Sequence, residues 1–307
     1  ISIGNLTVGG SGKTPAVIYI CNLLKNHKRK IGVLSRGYRR RTKGYLLVSS
    51  GADNIRTVSE SGDEMYLVTK ECKIPSAVCE SRVKGAKKLI KETNVEAVIL
   101  DDAFQHRWIY RDLDIVLIDQ KFLLREKYFD HLLLPTGLKR EPFSSIRRSD
   151  LIIINRKFSD KKTIPKKYSR YFDEKKIFHA YYKTNGFYDL KTDHFYNLME
   201  FRGQKSLVVC GIASPFSFLR VLSKNLIDIQ NKILFLDHKH YTLKEIQEIR
   251  RKFYKSNVNS VITTQKDAVK LTEFSKELDD IDIYYLKIDL MIDEDSNFNK
   301  EIVKIFN

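Results

Sequence analysis

Residues 4–14 of the chain read GNLTVGGSGKT, and this stretch decides the class of fold. The strand-like residues 1–3 precede it, and a helical pattern follows it, with Val17, Cys21 and Leu24 on one face. A glycine-rich loop between a strand and a helix is typical of a P-loop, whose backbone N–H groups surround phosphates. The alternative is a glycine-rich turn without chemical function. The strand–loop–helix setting favours a nucleotide-binding loop.

The side chains of this loop complete the prediction. Lys13 would reach the terminal phosphates of a nucleotide, and the hydroxyl of Thr14 would bind Mg²⁺. Thr7 stands where the strict pattern has glycine, so the loop is a variant. The predicted phosphate cradle consists of Thr7, Val8, Gly9, Gly10, Ser11, Gly12, Lys13 and Thr14.

A carboxylate partner for this loop follows the apolar run 98–100, as Asp101 and Asp102. Carboxylate oxygens are suitable ligands for a hard cation such as Mg²⁺. Taken alone, the acidic pair is equally typical of a turn at the end of a strand. Together with the P-loop, it predicts a metal site formed by Thr14, Asp101 and Asp102.

Short apolar strands alternate with helical patterns along the first half, for example at 31–35, 97–100, 115–119 and 151–155. This alternation predicts an α/β fold with a P-loop NTPase-like parallel sheet. We expect a P-loop kinase domain over residues 1–177. A second, smaller α/β domain over 178–307 should begin with an extended connector.

The composition is that of an ordinary globular protein, with 42% apolar and 30% charged residues. The net charge of +17 favours an anionic partner, although charged helix faces alone would also produce it. The four cysteines lack zinc-ligand spacing and indicate reduced thiols. No apolar run is long enough to span a membrane. Because the chain opens on Ile1 in a truncated-looking strand, we expect that an upstream segment is missing.

The remaining motifs narrow the choice among P-loop proteins. A GTPase would carry an Asn-Lys-x-Asp motif, which neither 155–158 nor 265–267 matches. With the P-loop, an ordered set of motifs resembles the tetraacyldisaccharide 4′-kinases, the lipid A kinases of Gram-negative bacteria. The resemblance extends from residue 4 to about residue 271. Its motifs are 35–38 (SRGY), 62–64 (GDE), 101–106 (DDAFQH), 134–142 (LPTGLKREP), 237–238 (DH) and 263–267 (TTQKD).

The resemblance implies transfer of the γ-phosphate of ATP, with Mg²⁺, to the 4′-hydroxyl of a tetraacyldisaccharide 1-phosphate. It implies work at the cytoplasmic face of the inner membrane, with no nucleic acid as partner, and the net charge favours an anionic membrane surface there. By resemblance, Asp63 is the catalytic base, His238 pairs with it, and Lys13 acts on the phosphates. The polar residues of the cleft would be Arg82, Gln105, His106, Arg140 and Glu141.

The sequence departs from the family pattern at three places. Lys239 stands where a second histidine is usual, with His240 one place later, and Gln265 replaces a glutamate. By resemblance, we expect a membrane-associated N-terminal segment ahead of residue 1, and residues 1–307 do not include it. Without the resemblance, His238 would be an ordinary loop histidine, and Asp63 could equally serve at the start of a helix.

Two other functions remain open on the residues alone. A P-loop kinase of a soluble small molecule would share Lys13, Thr14 and the acidic pair but would not need an amphiphilic acceptor site. An ATP-dependent module that binds nucleic acid or a partner is suggested only by the net charge.

Overall fold

The computed structural model describes residues 1–51, 56–237 and 239–306. Residue contacts divide the chain into two compact units, residues 1–182 with 290–307, and residues 183–289. The division near residue 182 lies close to the expected boundary after 177. The C-terminal residues 290–307 group with the first unit, although the sequence analysis assigned them to the second. A C-terminal segment can return to the first unit through packing that local sequence patterns do not record.

The strands and helices alternate along most of the chain, as the apolar pattern predicts. The strands are β1 (Ser2–Asn5), β2 (Ile31–Ser35), β3 (Leu46–Ser50), β4 (Pro75–Val78), β5 (Ala97–Asp101), β6 (Asp114–Asp119), β7 (Leu151–Asn155), β8 (Lys176–Asp189), β9 (Phe195–Tyr196), β10 (Ser206–Cys210), β11 (Asn231–Leu234), β12 (Ser260–Thr264) and β13 (Ile283–Ile292). The α-helices are α1 (Lys13–Asn26), α2 (Val58–Ser61), α3 (Asp63–Cys72), α4 (Arg82–Thr93), α5 (Gln120–Leu123), α6 (Ser169–Phe172), α7 (Pro215–Lys224), α8 (Leu243–Lys255), α9 (Gln265–Leu271) and α10 (Asp295–Val303).

The first unit contains a sheet with the strand order β8-β7-β6-β1-β5-β2-β4-β3. Strand β1 pairs in parallel with both β5 and β6, and parallel pairing continues to β4 on one side and β8 on the other. At the edge beyond β4, strand β3 runs antiparallel to its neighbour β4. The predicted P-loop NTPase-like parallel sheet is therefore confirmed, with an antiparallel edge strand that the sequence analysis did not anticipate.

Both faces of this sheet are buried, which explains why its central strands are almost wholly apolar. Along β6, Ile115 and Leu117 pack into the hydrophobic cluster on one face, and Val116 and Ile118 pack into the cluster on the other. The buried faces leave the strand ends as the places where polar side chains can meet ligands. The acidic pair, which begins with the last residue of β5, and the loop after β1 both lie at the carboxyl edge of parallel strands.

The second unit has its own parallel strands in the order β11-β10-β12-β13. Its core includes Leu207 and Val209 of β10, Ile246 and Ile249 of α8, and Leu271 of α9. The short strand β9 pairs antiparallel with the end of β8. These elements form the smaller α/β unit that the alternating pattern of the second half indicates.

The cysteines and the helix lengths agree with the composition. All four cysteines are buried and carry free thiols. No helix among the described residues combines the length and apolar character needed to cross a bilayer.

Helix α10 is an integral part of the first unit. Phe298 is fully buried, with its ring centroid 5.1 Å from that of Phe178 and 6.0 Å from that of Tyr19. The hydroxyl of Tyr19 also donates a hydrogen bond to Oδ1 of Asn299, at 3.0 Å. The C-terminal helix is thus held on α1, the helix that follows the P-loop.

We expect Phe298→Ala to lower the free energy of unfolding by about 3–5 kcal/mol, because it leaves a cavity among Tyr19 and Phe178. Ile90→Ala is the control, since Ile90 is 46% exposed on α4. Urea unfolding followed by circular dichroism measures both variants. Equal midpoints for the two variants would show that α10 does not contribute to the stability of the first unit.

Candidate active site

The glycine-rich loop turns sharply into α1 at Gly12. Gly12 has a φ of 99°, and a Cβ at this position would lie 2.3 Å from Nδ2 of Asn155 and 2.5 Å from the hydroxyl of Tyr182. Only glycine fits both the backbone angle and this close approach. Within the described chain, no side chain caps the start of α1. Its first N–H groups therefore point to the loop, where they can meet an anion.

Two asparagine side chains fix the shape of the loop. The buried Asn5 donates from Nδ2 to the carbonyl of Thr7 at 2.7 Å and to Oγ of Ser11 at 2.9 Å. Asn155, at the end of β7, donates from Nδ2 to the carbonyl of Ser11 at 3.0 Å. The sequence analysis gave neither asparagine a role. The available signal was their position, since each is a buried polar residue ending an apolar strand at the carboxyl edge.

Asp102 forms ion pairs with two basic residues, Lys13 at the end of the glycine-rich loop and Arg140. Its Oδ1 lies 3.6 Å from Nζ of Lys13. Nη1 of Arg140 donates to both of its oxygens, at 2.8 and 2.9 Å. Asp102 has a φ of 48°, an uncommon left-handed conformation for a non-glycine residue. The predicted residues Lys13, Asp102 and Arg140 are thus close together.

The neighbouring residue, Asp101, is buried. Its Oδ2 accepts a hydrogen bond from Oγ of Ser35 at 3.1 Å, while its Oδ1 has no hydrogen-bond partner among the described residues. The buried guanidinium of Arg82 donates to the backbone carbonyl of Asp101 at 3.2 Å and to that of Cys79 at 2.8 Å. The sequence analysis gave Ser35 no role, although the residue belongs to the quoted motif 35–38.

The two neighbouring carboxyl groups have opposite pKa shifts. Burial, together with the charges of Glu64 and Asp102, raises the pKa of Asp101 to about 7. Burial would also raise the pKa of Asp102, but the charges of Lys13 and Arg140 outweigh it and hold this pKa below its ordinary value. At neutral pH the carboxyl of Asp102 is therefore ionised, whereas the pKa of Asp101 lies close to the pH itself.

The segment after Asp102 braces the loop. Nε2 of Gln105 donates to the backbone carbonyl of Asn5 at 2.9 Å. Burial, followed by the charges of Arg82, Arg111 and Arg36, lowers the pKa of His106, whose buried Nε2 has no partner among the described residues. The imidazole of His106 is therefore biased towards its neutral form.

Glu141 lies beside the same segment. Burial would raise its pKa, but hydrogen bonds from Arg148, Ser145 and Gln105 and the charge of Arg148 hold this pKa below its ordinary value. The bond from Nη2 of Arg148 to Oε2 of Glu141 measures 2.7 Å. Arg148 also lies over the ring of Phe104, with its Cζ 4.5 Å from the ring centroid. Gln105 thus connects Glu141 to the loop, and Arg148 is an additional member of this cluster that the sequence analysis missed.

Asp63 is the first residue of α3, and Gly62 before it is the cap residue. The carboxylate of Asp63 accepts a hydrogen bond from the N–H of Glu64 at 2.9 Å, so Asp63 does stabilise the start of the helix. The charge of Glu64 acts on Asp101, which places this end of α3 in the electrostatic field of the site. His238, the predicted partner of Asp63, lies outside the described residues.

The donors for a cation fit Mg²⁺ bound together with phosphate oxygens. Oδ1 of Asp101 is a buried carboxylate oxygen without a hydrogen-bond partner in the described chain, and a cation or its water shell would satisfy it. Among the described residues, no group of three or more His, Cys, Asp or Glu is arranged to hold a metal by itself. Mg²⁺ in nucleotide sites typically has one or two carboxylates and completes its shell with phosphates and water.

Comparisons with known proteins agree on one family. The family model described as Tetraacyldisaccharide-1-P 4'-kinase matches residues 1–307. A curated tetraacyldisaccharide 4'-kinase of Halothermothrix orenii is 33% identical, over 95% of this chain and 80% of the relative. The enzyme of the same name from Bacteroides thetaiotaomicron is 34% identical, over 99% of this chain and 83% of its own length.

A solved structure agrees with the sequence relatives. The "apo" form of LpxK from Aquifex aeolicus in complex with ATP has a TM-score of 0.78 to this chain and is 28% identical to it. The match covers 100% of this chain and 88% of that one. The α/β fold predicted from the sequence is therefore that of a protein crystallised with ATP.

We expect the raised pKa of Asp101 to produce a pH-dependent stability. An ordinary aspartate in the unfolded chain has a pKa of about 3.9, whereas that of folded Asp101 is about 7. Between these values the folded state holds the extra proton, so the free energy of unfolding should fall as pH rises through this range. Asp101→Asn removes this contribution, and its stability relative to the unsubstituted protein should increase from pH 5 to pH 7.

Urea unfolding in chelator-treated buffer measures this difference. Glu245→Gln is the control. Because hydrogen bonds from Lys239 and Thr242 lower the pKa of Glu245 to about 2, this carboxyl is largely ionised in both states above pH 5, and the stability difference should hardly vary with pH. Parallel pH profiles for Asp101→Asn and the unsubstituted protein would contradict the raised pKa.

Proposed function

This chain belongs to the tetraacyldisaccharide-1-phosphate 4′-kinase family, and from that premise we propose which residues perform the reaction. The protein is an ATP-dependent kinase of lipid A biosynthesis. Its acceptor is the 4′-hydroxyl of a tetraacyldisaccharide 1-phosphate. The observation that best supports the assignment of the site is the grouping of Lys13, Asp102 and Arg140 beside the glycine-rich loop.

The nucleotide phosphates bind in the loop formed by residues 7–14. The start of α1 offers N–H groups and the positive end of its dipole, and Lys13 adds a charge that can move from Asp102 to the phosphates. Because the side-chain amides of Asn5 and Asn155 hydrogen-bond to backbone carbonyls of the loop, the loop needs little reorganisation when ATP binds.

Mg²⁺ is the metal we propose for this site, held by the hydroxyl of Thr14 with Asp101 and Asp102. When bound, it would neutralise charge on the β- and γ-phosphates. The unpartnered Oδ1 of Asp101 supports its inclusion. Asp102 already balances two cations, so its first task is to position Lys13 and Arg140.

Asp63 is the proposed base that accepts the proton of the 4′-hydroxyl as that oxygen attacks phosphorus. A carboxylate can accept the proton of a hydroxyl that lies within hydrogen-bond reach. Lys13, Arg82 and Arg140 supply positive charge that stabilises the phosphoryl group in the transition state. Gln105, His106 and Glu141 complete the polar wall of the cleft. The role of His238 as partner of Asp63 stays a prediction from the resemblance.

The lipid acceptor also implies where the protein works. A tetraacyl lipid leaves a bilayer at a cost of about 0.8 kcal/mol per exposed CH₂, so the enzyme must reach the headgroup at the surface. We propose that it acts at the cytoplasmic face of the inner membrane. The net charge of +17 favours an anionic leaflet. Family membership favours this acceptor over the soluble small molecule and the nucleic acid that the residues alone left open.

We expect Lys13→Ala to lower kcat by at least about 10²–10³-fold, because it removes a cation that faces the developing charge. Transfer of label from γ-labelled ATP to a disaccharide lipid precursor in detergent measures the activity. Lys87→Ala, an exposed lysine on α4, is the control. Turnover near that of the unsubstituted protein, in a variant with an unchanged circular dichroism spectrum, would refute the P-loop assignment.

Asp63→Ala should lower kcat by about 10²–10⁴-fold and change KM for ATP little, because a general base acts in the transition state. His238→Ala should have a smaller effect. If the two residues act as a pair, the double variant should resemble Asp63→Ala alone. Losses that multiply in the double variant would contradict the pairing, even with Asp63 as the base.

A further inference from the structure

Exposed apolar side chains of the first unit are concentrated in two short segments. Eight large hydrophobic side chains are exposed among the described residues of this unit, and six of them lie in segments 107–110 and 128–134. We call these two segments the apolar rim. Its exposed side chains are Trp108 (88%), Tyr110 (87%), Tyr128 (74%), Phe129 (67%), Leu133 (44%) and Leu134 (48%).

The first segment of the apolar rim is fixed close to the site. It begins two residues after Gln105, which donates from Nε2 to the carbonyl of Asn5 at 2.9 Å. On its other side, Nη1 of Arg111 donates to the carbonyls of Ala103 and His106, both at 3.1 Å. Trp108 and Tyr110 therefore project from a short connection that is anchored at both ends.

The second segment belongs to the loop that delivers Arg140 to Asp102. Its backbone pairs with the returning arm, where the N–H of Leu134 donates to the carbonyl of Lys139 at 2.8 Å. The returning arm then meets the P-loop, because the N–H of Val8 donates to the carbonyl of Leu138 at 2.8 Å. One arm of the loop thus carries the exposed apolar side chains, and the other arm contacts the P-loop and leads to Arg140.

Gly137 makes the tight turn between the two arms possible. A Cβ at this position would lie 2.3 Å from the carbonyl oxygen of Leu132 and 2.5 Å from that of Phe129. These contacts are with backbone atoms, which cannot move aside as a flexible side chain can. The close packing holds segment 128–134 in a defined position relative to Arg140.

The composition of the apolar rim matches a lipid–water interface. Tryptophan and tyrosine prefer this zone because their rings have an apolar body and a polar group. Basic residues border both segments: Arg107 precedes Trp108, and Lys127 precedes Tyr128, each with an exposed side chain. They complement the phosphate groups of an anionic leaflet. Large exposed apolar side chains on two connections that are both tied to the site favour an interaction surface over ordinary solvent-exposed protein.

We propose that the apolar rim inserts into the interface of the bilayer that contains the acceptor, so that the Asp102–Arg140 edge faces the sugar headgroup. This inference rests on the proposed function, since an acylated acceptor is what places the site at a membrane. The acyl chains can then stay in the bilayer while the 4′-hydroxyl reaches the phosphates. The aromatic side chains add an attraction that salt does not screen, in contrast to the attraction of the basic residues.

The chain contains one tryptophan, Trp108, which makes its fluorescence a direct probe of the apolar rim. We expect a blue shift of the emission when the protein meets vesicles of phosphatidylcholine and phosphatidylglycerol. Lipids brominated in their acyl chains should quench this emission. If the protein sediments with vesicles while the emission neither shifts nor is quenched, charge alone binds the surface and the proposal is wrong.

A paired substitution tests the second segment with Trp108 still present. Tyr128→Ser with Phe129→Ser should weaken vesicle binding by about tenfold or more, because the double substitution removes two aromatic rings that would be partly buried in the membrane interface. KM for the acylated acceptor in vesicles should rise, with KM for ATP and the thermal midpoint unchanged. Phe216→Ser is the matched control, an aromatic residue that is 77% exposed on α7 in the other unit. Equal losses in both variants would overturn the proposal.

A soluble acceptor separates this inference from the proposed function. A short-chain disaccharide 1-phosphate that forms no vesicles should be phosphorylated equally by the unsubstituted protein and the paired variant. Unequal rates on this acceptor would assign Tyr128 and Phe129 to the site itself and overturn the membrane role. If neither the acylated nor the short-chain acceptor receives phosphate, the proposed function fails. The shift of Trp108 emission still tests whether the apolar rim enters the membrane interface.

Discussion

The carboxylate of Asp102 forms ion pairs with two basic side chains from distant parts of the chain. Lys13 begins helix α1, and Arg140 lies in the connection between β6 and β7. The geometry of the proposed phosphate site depends on this cluster of ion pairs, because the cluster orients both positive charges before any nucleotide binds. Its three members also lie at the carboxyl edge of the same parallel sheet, where strand ends bring separate segments together.

The neighbouring carboxyl group of Asp101 behaves differently for a simple reason. Asp102 lies beside two cations, whereas Asp101 is buried and close to the negative charges of Asp102 and Glu64. Two adjacent residues of the same type therefore differ in protonation because one faces the cleft and the other faces the protein interior. This division leaves one fixed negative charge for positioning and one buried oxygen without a hydrogen-bond partner in the described chain.

The edge that holds the polar site also exposes large apolar side chains. This juxtaposition has a physical cause, because the same two connections supply both sets of residues. The connection after β5 contains Asp102, Gln105 and Trp108, and the loop ending at Arg140 contains Tyr128 and Phe129. A substrate with a sugar headgroup and acyl chains requires polar chemistry and an apolar surface at neighbouring positions.

The sequence by itself determined the fold class and predicted the phosphate loop and the acidic pair, because these depend on local patterns: apolar strands, glycine spacing and strand-end carboxylates. The tertiary structure alone decided that Asn5 and Asn155 support the loop, that Arg140 pairs with Asp102, and that α10 belongs with the first unit. Each depends on residues far apart in the chain. Local periodicity records which residues are buried, but only the folded chain determines which of them meet.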